Sequence, residues 1–262
     1  MKRTLRGVWS PQRRNRRDVD IYLPESYWSG TRRYPVVYMQ DGQNLSDPSI
    51  AFGGRTWDLA STIERLAARG LELIVVGVHH GGEARLAEYS PFPDRRHGGG
   101  QGDAYLEFLV ETLKPRIDRM YRTRTAREET AIVGSSMGGL ISLYAFFKHP
   151  GVFGRAAAMS PSIWFGQGRL LEYIESARAP RGRLYVDVGV HEGAGTVRDA
   201  RRLARLLVRK GYRKDRRTKP RGGSDVRRRG AGTLRYVEDP IGRHEEPAWA
   251  GRLESALDFL LD

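Results

Sequence analysis

The sequence predicts an α/β fold in which a central, mostly parallel sheet carries helices on both faces. Short and wholly apolar runs, such as residues 35–39 (PVVYM) and 73–78 (LIVVGV), are typical of central strands that are buried on both faces. Such runs alternate along the chain with segments of helical periodicity, a pattern that builds parallel sheets through crossover connections. The 262 residues suit one large domain, and we expect a single domain over residues 1–262.

The elements follow from the spacing of apolar residues. Residues 57–69 have helical spacing and end at Gly70. A helix over 104–120 has one apolar stripe, whereas a helix over 137–148 is apolar on nearly every side and must be buried. The other expected strands are 19–23, 130–133, 156–159, 184–188 and 234–237, and the other expected helices are 200–209 and one marked by Trp249, Leu253, Leu257 and Leu260.

Composition excludes several classes of protein. The chain has no cysteine, so a disulfide framework, a thiolate zinc site and a cysteine nucleophile are excluded. No apolar run approaches the ~18 residues of a membrane span, so we expect no membrane association of that kind. The basic N-terminal residues lack the apolar stretch of a signal peptide, and a cytoplasmic protein is therefore expected.

The net charge of +14 is unevenly distributed. Residues 209–229 hold eleven Lys or Arg against two Asp, and the Gly- and Arg-rich segment 213–232 predicts a basic loop. Because the chain has 39 Arg but only 6 Lys, we interpret this excess as a solvated surface. A non-catalytic polyanion-binding protein that uses 213–232 is an alternative, although no aromatic residue separates those arginines, which argues against specific binding of nucleic acid. A second basic cluster comprises Arg13, Arg14, Arg16 and Arg17.

The sharpest motif is GSSMGG, which begins at Gly134 between a short strand and the buried helix. In that context G-x-S-x-G is typical of the nucleophile elbow of α/β-hydrolases. The central Ser136 must occupy a strained turn, and the glycines on either side leave room for it. Ser135 lies one position early and would face away from the pocket. The backbone N–H of Met137, at the helix N-terminus, is one expected oxyanion donor.

A serine nucleophile needs a base and an acid, which in this fold follow in the order Ser, acid, His. That order favours His244, between the last strand and the last helix, although a helix-capping loop that contains a histidine is the simpler alternative. The pair His79 and His80 could suggest a metal site, but no carboxylate stands at metal-ligand spacing.

Three residues are candidates for the acid: Asp187, Glu192 and Asp199. Asp187 lies inside an expected strand, and Asp199 suits the first turn of a helix. Glu192 follows the strand at its carboxyl end, where ligands bind in open α/β sheets. We therefore expect a Glu192 carboxylate oxygen within hydrogen-bond reach of His244.

The second oxyanion donor is expected in the loop after residues 35–39. The sequence YMQDGQN contains the small residue that such a loop requires, and the backbone N–H of Gln43 is the first candidate, with Gly42 second. A plain tight turn at Asp41 and Gly42 is the alternative.

With these motifs in order, the chain resembles the putative esterase family of α/β-hydrolases, which includes esterase D, feruloyl and enterochelin esterases and mycolyltransferases. GSSMGG together with the later HEEPAW is specific, and the resemblance spans nearly the whole chain. The supporting stretches are PVVYMQDGQNL, Trp57, IVVGV, Arg85 with EYSP, YLEF, PRIDRMY, MSPSIW and DVGVHEG.

The resemblance implies a Ser–acid–His hydrolase of carboxylic esters or thioesters, without a metal or another cofactor. By position, Ser136 is the nucleophile, His244 the base and Glu192 the acid, and Gln43 and Met137 supply the oxyanion donors. Trp164 either lines the pocket or packs in the core. A small-molecule ester is the expected partner. An acyltransferase with the same triad is the alternative, and the acyl group, the alcohol and the oligomeric state are left open.

Overall fold

A nine-stranded sheet forms the centre of the computed structural model, which describes residues 1–215 and 230–262. The strands are β1 (Lys2–Ser10), β2 (Asn15–Tyr22), β3 (Val36–Met39), β4 (Ile74–Val78), β5 (Pro93–Asp94), β6 (Gly98–Gly99), β7 (Thr130–Ser135), β8 (Arg155–Met159), β9 (Gly182–Gly189), β10 (Tyr212–Lys214) and β11 (Gly232–Asp239). The order across the sheet is β1-β2-β4-β3-β7-β8-β9-β11-β10, and β5 and β6 form a separate small hairpin. Strand β2 pairs in antiparallel fashion with both β1 and β4. The other seven strands of the large sheet, β4, β3, β7, β8, β9, β11 and β10 in spatial order, are parallel to one another.

Helices cover both faces of the sheet. They are α1 (Leu59–Ala68), α2 (Arg85–Glu88), α3 (Gly102–Glu107), α4 (Lys114–Met120), α5 (Met137–Lys148), α6 (Arg169–Ser176), α7 (Ala194–Arg209) and α8 (Glu246–Leu261). A π-helical segment, Phe108–Leu113, joins α3 to α4, so the helix expected over 104–120 is continuous but wider in its middle. Within the described ranges, no helix combines the length and the apolar character that crossing a bilayer requires.

The two faces of the sheet bury two separate hydrophobic cores, because successive side chains of a strand point to opposite sides. On β3, Val36 and Tyr38 belong to the larger core, beneath α3 to α7, whereas Val37 and Met39 belong to the smaller core beneath α1 and α8. Burial on both faces explains why the central strands are continuous apolar runs. The predicted α/β-hydrolase fold is confirmed.

The carboxyl ends of the parallel strands meet at one edge of the sheet. The loops that leave β3, β7, β8, β9 and β11 therefore emerge side by side, although their residues lie far apart in the sequence. This edge holds every residue that the sequence singled out for chemistry, apart from Asp199 on α7. The His79 and His80 pair lies there too, because β4 is parallel to β3 and ends at Val78.

Some elements were missed or misplaced by the sequence patterns. Strand β1 was not predicted, because it is an exposed edge strand with little alternation of apolar and polar residues, and edge strands commonly carry charged side chains. Helix α6 was also missed, and α7 begins at Ala194, six residues before the expected start.

The ends of the expected basic loop 213–232 are corrected, since Arg213 and Lys214 lie in β10 and Gly232 begins β11. Parallel pairing between these two strands fixes both ends. The rest of that segment, residues 216–229, lies outside the described residues.

Candidate active site

The turn between β7 and α5 consists of Ser136 alone. Its φ of 54° and ψ of −121° are strained for a residue with a side chain. The backbone is held on both sides, because the Ser136 N–H donates to the Met159 carbonyl at 2.9 Å and the Ser162 N–H donates to the Ser136 carbonyl at 3.0 Å. A Cβ at Gly134 would lie 2.5 Å from the Gly138 carbonyl, so only glycine fits there. This strained turn presents the Ser136 hydroxyl at the carboxyl edge of the sheet.

Three side chains from three loops come together at this edge. His244 Nε2 lies 3.0 Å from Ser136 Oγ, and His244 Nδ1 lies 2.8 Å from Glu192 Oε2. The expected contact between Glu192 and His244 is therefore confirmed. Because an ionised carboxylate only accepts hydrogen bonds, Nδ1 carries the proton, which leaves Nε2 free to accept from the serine hydroxyl. The imidazole also packs edge-on against the Trp249 ring, with ring centroids 5.0 Å apart.

The environment of Glu192 favours its ionised form. Its side chain is fully buried, and its second oxygen, Oε1, accepts hydrogen bonds from the Ser160 hydroxyl at 2.6 Å and the Gly189 N–H at 2.7 Å. Burial alone raises the pKa of Glu192, but hydrogen bonds from His244, Ser160 and Gly189 outweigh it and hold that pKa below its ordinary value. The carboxylate therefore faces His244 as an anion at neutral pH.

Neither of the other acid candidates contacts His244. Asp187 lies within β9, fully buried, and its Oδ1 accepts the Ser160 N–H at 3.1 Å. Burial raises the pKa of Asp187 to about 7, against the opposing charge of Arg252. Asp199 lies on α7, 3.8 Å from the Arg198 guanidinium. The pKa of Asp187 is thus raised, whereas that of Glu192 is lowered.

The loop after β3 lies against the start of α5. A Cβ at Gly138 would approach Gln40 Cβ to 3.0 Å and Asp41 Oδ2 to 3.4 Å. Gly42, Gln43 and Asn44 form a single helical turn rather than a plain tight turn. The Met137 N–H, like the other first N–H groups of a helix, has no partner within its own helix. Gln43 and Met137 therefore lie on the two elements that frame Ser136.

Strain and charge hold that loop in place. Asp41 adopts the left-handed conformation, with a φ of 53°, and both of its carboxylate oxygens pair with Arg85, at 2.7 and 2.8 Å. Its N–H donates to the Tyr89 hydroxyl at 3.0 Å. Gly42 is required for another reason, because a Cβ there would lie 2.4 Å from the backbone of Gly77 on β4. The ion pair, the hydrogen bond and the close approach to β4 together hold the loop in this strained conformation.

The segment after β8 supplies residues on the other side of Ser136. The Ser162 hydroxyl lies 3.1 Å from Ser136 Oγ, a contact that the sequence did not single out. Two residues later, Trp164 is 51% exposed and forms an aromatic cluster with His97 and Phe165, with centroid distances of 5.5 and 5.7 Å from the indole. Trp164 is thus a surface residue, two positions beyond Ser162, rather than part of the core.

The histidine pair considered for a metal is engaged in other contacts. His79 Nε2 lies 3.0 Å from Asp20 Oδ2, and His80 Nδ1 accepts the Gly82 N–H at 2.9 Å. Over residues 1–215 and 230–262, no three His, Asp or Glu side chains are arranged so that they could hold a metal ion.

Arg252, like Ser162, was not singled out by the sequence. Its guanidinium lies beneath the site, although it stands in the apolar stripe of α8, three residues after Trp249 and four before Ala256. A charge at such a position is a sequence signal, because a charged side chain is almost never fully buried unless it is paired.

Comparison with known proteins identifies the relationship. A family model described as "Putative esterase" matches residues 10–260. The uncharacterized protein YbbA of Bacillus subtilis is 29% identical over 212 residues, which cover 79% of this chain and 79% of that protein. The siderophore enterobactin esterase of Emericella nidulans is 38% identical over 82 residues, which cover 31% of this chain and 26% of that protein. An IroE-like serine hydrolase from Shewanella oneidensis has the same fold, with a TM-score of 0.77 at 20% identity over all of this chain and 80% of that one.

The raised pKa of Asp187 predicts a pH-dependent contribution to stability. Between the ordinary carboxyl pKa and about 7, the folded protein holds a proton on Asp187 that the unfolded chain has lost, so this contribution is lost as the pH rises. The unchanged protein should therefore lose about 2–3 kcal/mol of its free energy of unfolding between about pH 5 and pH 8, a loss that Asp187→Asn should not show. Urea unfolding at both pH values measures this, with Asp199→Asn as the control. An equal change for both variants would contradict the raised pKa.

Proposed function

The chain belongs to the putative esterase family, and from that premise we infer that it is a serine hydrolase of carboxylic esters. We propose that Ser136 is its nucleophile, His244 its general base and Glu192 its acid, with the Gln43 and Met137 N–H groups as oxyanion donors. One observation carries this proposal: an unbroken chain of contacts from Glu192 through His244 to the hydroxyl of a residue in a strained turn.

The first half of the reaction forms an acyl-enzyme. Ser136 Oγ attacks the ester carbonyl carbon while His244 Nε2 takes the hydroxyl proton. The carbonyl oxygen becomes an oxyanion, which the Gln43 and Met137 N–H groups stabilise. The tetrahedral intermediate then collapses, the bond to the alcohol oxygen breaks, and His244 returns its proton to that oxygen. The alcohol leaves, and the acyl group stays on Ser136 as an ester.

The second half repeats these steps with water as the nucleophile. His244 removes a proton from water, the resulting hydroxide attacks the acyl carbon, and the proton passes to Ser136 Oγ as the acid is released. The ionised Glu192 fixes the tautomer of His244 and stabilises the imidazolium that forms twice in each cycle. Ser162 can donate a hydrogen bond to Ser136 Oγ, since that oxygen gives its own proton to His244.

Hydrolysis is favoured over acyl transfer to another alcohol, because the named relative with a stated activity is an esterase. An acyl-enzyme that partitioned to an added alcohol rather than to water would indicate the transferase alternative. The cytoplasmic location expected from the sequence stays a prediction, as does a small-molecule ester as the partner.

The aromatic surface formed by Trp164 and His97 suggests the kind of acyl group. The half-exposed Trp164 lies against His97 and two residues beyond Ser162. A flat aromatic ring binds well against such a surface, because aromatic pairs gain energy beyond their buried area. We propose esters with an aromatic acyl group as the preferred substrates within the esterase class.

Replacement of the nucleophile tests the proposed mechanism most directly. Ser136→Ala should reduce kcat by a factor on the order of 10⁶, because no other group in this turn can form the acyl-enzyme. The matched control is Ser135→Ala, one residue earlier in the buried strand, which should remain active. Ester hydrolysis measured at equal concentrations of folded protein gives the comparison. Activity above about a tenth of the starting value in Ser136→Ala would overturn the assignment.

The identity of the acid has its own test. Glu192→Gln should reduce kcat by about 10² or more, because the neutral amide no longer stabilises the imidazolium. The loss should be smaller than for Ser136→Ala, since the nucleophile and base remain. Asp199→Asn, on α7, serves as the control and should leave kcat unchanged. Equal effects of the two substitutions on kcat would place the acid elsewhere.

The role of Trp164 can be separated from catalysis. Trp164→Ala should raise KM for methyl cinnamate by about 3- to 10-fold, the loss of one aromatic contact, while KM for methyl butyrate stays nearly unchanged. Trp28→Ala removes an indole of nearly equal exposure, 50%, at the end of the 3₁₀-helical turn Glu25–Trp28 after β2, and is the matched control. Hydrolysis is measured by titration of the released acid. An equal rise of KM for both esters would argue against a binding surface for aromatic acyl groups at Trp164.

A further inference from the structure

The guanidinium of Arg252 lies beneath the site, with only 6% of the side chain exposed. A buried cation is costly unless it is paired and hydrogen-bonded, and Arg252 is paired on several sides. Its Nη2 donates to the Ser160 hydroxyl oxygen at 2.9 Å, its Nε lies 3.1 Å from Asp187 Oδ2, and its Nη1 donates to Asp239 Oδ2 at 3.2 Å.

These partners belong to three different strand ends. Ser160 follows β8, Asp187 lies near the end of β9, and Asp239 is the last residue of β11. Each strand continues into a loop that carries a residue proposed for the reaction or in contact with one: Ser162 after β8, Glu192 after β9 and His244 after β11. One side chain on α8 therefore connects all three loops.

The contact with the acid runs through Ser160. That hydroxyl accepts hydrogen bonds from Arg252 Nη2 and from Trp249 Nε1, at 2.9 and 3.1 Å, and its single proton is left to donate to Glu192 Oε1 at 2.6 Å. Arg252 Nη2 itself lies 3.6 Å from the same carboxylate oxygen. Arg252 thus fixes both the direction of the Ser160 hydroxyl and the charge next to Glu192.

The contact with the base runs through Asp239. Its Oδ1 accepts the Ile241 N–H at 3.1 Å, and its carbonyl accepts the Gly242 N–H at 3.2 Å, which shapes the loop that leads to His244. The Gly242 carbonyl in turn accepts the His191 N–H at 3.1 Å, next to Glu192. The loops of the acid and the base are therefore joined above the same guanidinium.

We propose that Arg252 is a positioning residue for the reaction, which sets the acid and the base relative to each other without touching the substrate. The inference rests on the roles proposed above for Glu192 and His244. It requires arginine, because the three nitrogens of the guanidinium fork reach partners at three strand ends, whereas the three donors of a lysine ammonium share one nitrogen.

The charge of Arg252 also opposes the field of the carboxylates at His244. The charged groups on the surrounding elements are Glu192 after β9, Glu246 at the start of α8 and, across the site, Asp41 with Arg85. Beneath them lies Asp239, which pairs with Arg252, and also Asp187, whose pKa of about 7 leaves it largely uncharged below that pH. Removal of this cation leaves the imidazole in a more negative field, which favours its protonated form.

The test compares Arg252→Met and Arg252→Lys with Arg235→Met. Arg235 lies on β11, pairs with the Asp215 carboxylate at 2.5 Å and packs on Phe259 of α8. Its side chain is also largely buried, with 15% exposed, but it lies away from the site. Arg252→Met should lower kcat by about 10² with KM within about 2-fold, because the loss approaches that of a misplaced acid. In Arg252→Met, the pH below which kcat/KM falls should rise by roughly half a pH unit or more. Arg252→Lys should restore the pH profile but still lower kcat by about 10-fold, since charge returns without the fork.

Several outcomes would overturn the proposal. Unchanged kcat and pH profile in Arg252→Met would do so, as would equal losses in Arg252→Met and Arg235→Met. If Arg252→Met does not fold, two other variants take its place: Asp239→Asn, which removes one contact of the guanidinium, and Arg252→Lys. The proposal would then be refuted if both variants had the same kcat as the unchanged protein. Failure of the proposed function is distinct, because it would appear as an active Ser136→Ala variant.

Discussion

The strained backbone of Ser136 is the constraint on which the rest of the site depends. Strand β7 ends at Ser135 and helix α5 begins at Met137, so the chain must reverse within one residue that has a positive φ. Such a conformation persists only where its surroundings determine it. The buried helix α5, the close contact of Gly134 with Gly138 and the hydrogen bonds to the segment from Met159 to Ser162 provide that determination. They leave the hydroxyl at the helix N-terminus, where negative charge is stabilised.

Two arginines organise the two sides of this turn. Arg85 holds the carboxylate of Asp41 and with it the strained loop that carries Gln43, whereas Arg252 lies beneath the loops that carry Glu192 and His244. Both use the guanidinium fork to contact more than one atom, which fixes direction as well as charge. Ion pairs therefore hold both sides of this turn in place.

The carboxylates around Arg252 show how environment divides the roles of similar groups. Glu192 and Asp187 are both buried, yet hydrogen bonds from His244, Ser160 and Gly189 lower the pKa of Glu192, whereas burial raises the pKa of Asp187 to about 7. Burial is the largest influence on both pKa values. At Glu192 three hydrogen bonds outweigh it, whereas at Asp187 the Arg252 charge and the Ser160 N–H do not. Glu192 also has the additional methylene and the loop position that bring it to His244, while Asp187 is held inside its strand.

The sequence by itself determined the sheet, the buried helix α5 and the placement of the serine turn, because apolar runs and the G-x-S-x-G glycines are local signals of burial and backbone conformation. It also indicated Glu192 and His244, since chain order and strand ends restrict where the acid and base can lie. Only the tertiary structure decided the rest. Ser162, Ser160 and Arg252 acquire their contacts from residues up to 92 positions away. The side chain of Arg17, within the second basic cluster, is fully buried against Glu88. Spacing along the chain cannot reveal such pairs, because a buried charge depends on which partners other strands bring to it.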